Sequence, residues 1–97
     1  MSKDAFYKNI EPSKTALSER YYLGEVYDGA YLTLREAETM KNLLLGKTIH
    51  DTAFSMKISP RTAEFYINNI KRKFRCRTKK ELIGKVMVSD ILKEFIQ

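Results

Sequence analysis

The chain has no tryptophan, one cysteine, one histidine, two prolines and four glycines in 97 residues. A lone Cys76 closes no intramolecular disulfide and builds no multi-cysteine zinc site, which fits a reducing cytoplasm. Long apolar runs are missing. Nothing approaches the ~18–20 residues of a membrane span, and the opening MSKDAFYKNIEPSK has no apolar core of a secretion signal. The phosphate-loop, dinucleotide-fingerprint and zinc-protease patterns are absent as well. Ser59, Thr33 and Thr78 stand where helix caps belong, with no general base at a workable spacing, so catalysis is not expected. Neither a cofactor, a metal nor a membrane partner is expected. A chain this short forms one domain with one modest core.

Charge is what the sequence has in excess, and its position matters more than its total. Eighteen Lys and Arg against twelve Asp and Glu give +6. Residues 1–56 carry a net −1 and residues 81–97 another −1. Residues 57–80 hold Lys57, Arg61, Lys71, Arg72, Lys73, Arg75, Arg77, Lys79 and Lys80 against Glu64 alone, a net +8. A merely solvated surface seldom segregates charge this way, and a block of cations suits an anionic partner such as nucleic acid.

Residues 1–31 read as an N-terminal arm. Pro12, Gly24 and Gly29 interrupt it, Tyr7, Tyr21, Tyr22, Tyr27 and Tyr31 stud it, and a short helix over 13–22 and a turn from Gly24 to Gly29 are expected. The tyrosines are expected to pack back on the domain. From residue 32 to 97 the punctuation is helical. Thr33-Leu34-Arg35-Glu36 and Thr78-Lys79-Lys80-Glu81 are capping boxes. Thr48 opens a short second helix, Ser59-Pro60 a third running to about Phe74, and Gly46 supplies a stop between the first two. The fourth helix is expected to run from Thr78 towards the end. No segment alternates like a strand, so the fold class is all-α. Only Lys57-Ile58-Ser59 joins the second and third helices, with small Ala53 at the joint and Ile58 in the corner, the layout of a helix-turn-helix.

At 3.6 residues per turn the third helix separates two faces. Ala63, Tyr66, Ile67, Ile70 and Phe74 form an apolar stripe, and Arg61, Glu64, Phe65, Asn68, Lys71 and Arg72 point away from it. Such an outward face suits a major groove. Asn68 can bond adenine bidentately, Glu64 can accept from cytosine, and Phe65 can cover a thymine methyl. Arg61, Lys71, Arg72 and Lys73 would neutralise phosphates, and Thr62 would add a contact at the helix start. The plainer alternatives are that Phe65 rolls into the core, that Glu64 pairs with Arg61 or Lys71, and that Asn68 is an ordinary exposed amide.

Residues 32–82 resemble the DNA-binding domain of LuxR-type (NarL/FixJ-like) bacterial transcription regulators. Leu32-Thr33, Arg35-Glu36, Glu38, Gly46, Ala53, Ile58-Ser59, Thr62, Ile70, Lys73 and Glu81-Leu82 match that pattern in order and spacing. The resemblance implies four helices, the third in the major groove with Glu64, Phe65 and Asn68 reading bases, and the fourth often forming a dimer. Departures fall on the groove face: the family commonly has Lys at Glu64, His at Tyr66 and a basic residue at Asn68, and Ile at Thr52. Its members usually carry a large N-terminal signal domain, so this chain resembles a stand-alone effector acting in the cytoplasm on the nucleoid.

An outward subset of the fourth helix, Ile83, Met87 and Asp90, is the expected homodimer contact. The rival function is an interaction module of the same fold that binds a protein, RNA polymerase or a regulator, through Tyr21, Tyr22, Tyr27 and the fourth helix. His50 is expected at the surface. Cys76 reads as a turn residue, and Arg75 and Arg77 beside it would favour its thiolate if it is exposed.

Overall fold

A computed structural model of the chain describes residues 20–95. The expectations for Tyr7, Pro12, Ile96 and most of the helix over 13–22 lie outside those residues. The last two positions of that expected helix, Tyr21–Tyr22, instead form a short strand β1, paired antiparallel with β2, Tyr31–Leu32. The register sets Tyr21 opposite Leu32 and Tyr22 opposite Tyr31. Two-residue strands are too short to show a period of two, so no alternation announces them. Between them runs a 3-10 turn, Glu25–Tyr27, followed by Asp28 at φ 54° and Gly29 at φ 81°. The turn expected between Gly24 and Gly29 is therefore present, and its backbone is tied by Leu23 N–H to Ala30 O at 3.1 Å.

The helices follow as α1 Leu34–Leu44, α2 Ile49–Met56, α3 Pro60–Lys73 and α4 Lys79–Met87, with a single turn α5 Leu92–Phe95. Local chemistry fixes each start. Thr33 accepts from the Glu36 amide while Glu36 accepts from the Thr33 amide, a complete capping box. At α4 the box is shifted: Thr78 accepts from Glu81 N–H, but Glu81 reaches past it to the amide of Arg77. The fourth helix also ends earlier than expected. The Ser89 hydroxyl donates to Val86 O at 2.9 Å and competes with continued helical pairing there.

Leu32, Met40, Leu43, Ile67, Ile70, Phe74, Leu82 and Val86 build one core with Leu23 from the hairpin and Ile91 after the break. The hairpin is thus part of the domain's packing. Tyr27 sets its ring edge-on to Phe74 at 5.0 Å.

Candidate nucleic-acid interface

The joint between α2 and α3 is built from small residues and one left-handed position. Lys57 adopts φ 58°, ψ 44° and ends α2, and Ile58 N–H then closes on Ala53 O at 3.0 Å. Ala53 and Ala63 are both buried, so the two helices approach without large side chains between them. Ser59 caps α3: its hydroxyl accepts from Thr62 N–H at 3.1 Å and donates to Thr62 Oγ1 at 3.0 Å. Pro60 occupies the first helical position, where a missing N–H breaks no bond.

On α3 the inner face consists of Ala63, Ile67 and Ile70, with Phe74 immediately after the helix. Arg61, Glu64, Phe65, Asn68 and Arg72 are exposed together on the other side, with Lys71 half-buried at its margin. Phe65 is 60% exposed, which excludes the rolled helix that would have placed it in the core. It leans on half-buried Tyr66, centroids 6.1 Å apart. Glu64 pairs with neither Arg61 nor Lys71 among the described ion pairs. Arg72 donates to the side-chain oxygen of Asn69, and Lys71 approaches Arg77 O at 3.4 Å.

Two cations of the basic block are drawn away from this face. Lys73, expected at a phosphate, donates to Glu36 Oε1 at 2.6 Å, across from α3 to the buried capping carboxylate of α1. The Glu36 carboxylate is buried, so breaking the pair would leave it without its cation in a place where water cannot replace it. Arg75 turns to Asp28 Oδ2 at 2.8 Å and to Val26 O at 3.3 Å on the hairpin. Lys85 of α4 completes the arrangement by donating to Phe74 O and Arg75 O at 3.0 and 2.8 Å. The end of α3 is thereby fastened to α1, the hairpin and α4. None of these ties joins near neighbours, and sequence spacing carried no signal for them.

Behind a tight α2–α3 turn, then, stands a capped helix that presents a carboxylate, a ring, an amide and guanidinium groups. The family model for bacterial regulatory proteins of the luxR family matches residues 30–86, more than half the chain. The chain belongs to the LuxR family. Domains of this family bind DNA and regulate transcription, and so does this LuxR-family domain. No curated protein and no solved structure matches it. No helix among its described residues is long and apolar enough to cross a membrane.

Other expected positions in the LuxR-family domain fall as follows. Met87 is 55% exposed at the end of α4, Ile83 is half-buried against the core, and Asp90 is exposed beside Gly24. His50 is exposed. Cys76 lies in the connection between α3 and α4, and the thiolate alternative is corrected: burial, with Glu81 second, pushes its thiol pKa up despite Lys85 and Lys71, and Arg75 is occupied by the hairpin. Phe54 on α2 was not anticipated. It is 86% exposed, and no periodicity argument separates an outward aromatic from an inward one in so short a helix.

Proposed function

We propose that this domain is a sequence-specific regulator that inserts α3 into the major groove of double-stranded DNA as a homodimer. The observation that carries the reading is the joint exposure of Glu64, Phe65 and Asn68 on one face of α3, flanked by Arg61 and Arg72. The side chains of Glu64 and Asn68, without a hydrogen bond or ion pair among the described residues, and the exposed ring of Phe65 read base edges, and the bordering cations fix register on the phosphates. Thr62 and Lys71 support the backbone contacts at either end. Lys73, committed to Glu36, holds the helix in position. Met87, with the neighbouring Val88 at 86% exposure, supplies the apolar end of α4 for the two-fold contact, joined by Ile83 and Asp90.

Selection of bound duplexes from a random pool tests the reading. A two-fold consensus with half-sites about one helical turn, ~10 bp, apart is expected. Asn68→Ala and Phe65→Ala should weaken the selected site by about 1–3 kcal/mol while sparing random DNA. Arg72→Ala should weaken both equally. The opposite pattern sinks the assignment. Exposed Phe54 favours a second reading, a protein partner seated on α2, and an absence of all DNA binding would select it.

A further inference from the structure

Arg20 lies upstream of the matched stretch 30–86 and outside the basic block, yet the hairpin carries it to the flank of α3. Its guanidinium carbon stands 4.8 Å from the centroid of the Tyr31 ring. The ammonium of Lys73, in the last turn of α3, lies 5.5 Å from the same centroid. One ring thus gathers a cation from the hairpin and one from the groove helix. The two differ in what else they touch. Lys73 is neutralised by Glu36, whereas no carboxylate among the described residues pairs with Arg20. Arg20 is exposed, and hydrogen bonding to Tyr22, with the neighbouring Tyr31, raises its already high pKa further. The Tyr22 ring meets Tyr31 at 5.6 Å, edge-on, and steadies the platform.

Placement follows from helix geometry. Lys73 is one residue beyond Arg72, about 100° further round the axis, so it leaves the outward face for the flank. An α-helix of about 10–12 Å diameter fills a major groove about 12 Å wide, so a phosphodiester strand runs along each of its flanks. A guanidinium carries five N–H donors, so one held over an aromatic face and bonded to a single hydroxyl still has donors left for a phosphate.

We propose that Arg20, presented on the Tyr31 ring, binds a backbone phosphate of the DNA strand that lines the groove beside the last turn of α3. The site rests on the groove-insertion reading above and extends it: the hairpin contributes a contact beyond those expected from the helix-turn-helix. Because phosphate is common to every sequence, Arg20 adds affinity without preference.

The test is the salt dependence of duplex binding by the full chain, followed by fluorescence anisotropy on the selected site and on random DNA. Arg20→Ala should reduce the magnitude of the log–log slope by about 0.9 on both duplexes, the share of one phosphate. Arg20→Lys should keep the wild-type slope. The thermal midpoint serves as the control and should not move, since the side chain is exposed. Wild-type slopes retained in Arg20→Ala would overturn the site while leaving groove insertion intact. A wild-type chain that binds neither duplex would overturn both.

Discussion

Thr52 shows how much one atom can decide at the residue scale. It sits on the inner face of α2, fully buried, and its hydroxyl oxygen has no hydrogen-bond partner among the described residues. An unsatisfied buried hydroxyl costs about 1–3 kcal/mol in protein cores. Thr52→Val removes the polar atom and keeps the branched shape, so it should stabilise the domain by about 1–2 kcal/mol. Urea denaturation at constant m-value checks this, and an unchanged or lowered midpoint would mean the hydroxyl has a partner in solution. Glu36 is the opposite case. Nearly as buried, it serves the Thr33 amide and the Lys73 ammonium at once, so its burial is compensated twice. The sequence identified Glu36 as half of a capping box but gave no hint of its second partner 37 residues away, because contacts at that separation leave no local pattern.

Elements were legible where their signals are local. The caps at Thr33, Thr48, Ser59 and Thr78 each accept from the amide three residues on, a geometry that four consecutive residues define without help from the rest of the fold. The faces of α3 were legible for the same reason, since the 3.6 period acts over one helix. Tyr21–Tyr22, the break at Val88–Asp90 and the exposure of Phe54 were not, because each depends on what another segment covers. Ser59 is the element-scale test. Its hydroxyl both caps α3 and bonds Thr62, so Ser59→Ala should cost about 1 kcal/mol of stability. Because the cap fixes the end of α3 nearest the turn, the same variant should also weaken duplex binding measurably below its own unfolding temperature. Ser59→Asp restores an acceptor and should recover the stability. Failure of Ser59→Asp to do so would assign the loss to the Thr62 contact instead of the cap.

At the scale of the whole molecule the question is whether the hairpin is an appendage or a part of the core. The family match begins only at residue 30, and the charge pattern treats everything before the basic block as a nearly neutral remainder. The packing says otherwise. Leu23 is 1% exposed within the core, Tyr27 lies against Phe74, and Asp28 holds Arg75 at the end of α3. A domain of this size is stable by only about 5–15 kcal/mol, so one core leucine is a large fraction of the total. Leu23→Ala should remove about 2–5 kcal/mol, the range for a buried leucine whose cavity relaxes only in part. If the hairpin shares the core, that loss shifts a single unfolding transition, with far-ultraviolet helix signal and tyrosine fluorescence moving together. An appended hairpin would instead melt first, and the helices would keep the wild-type midpoint. The coincident shift is expected, because the residues that hold the hairpin down also fasten the end of α3. Loosening one end therefore releases the other.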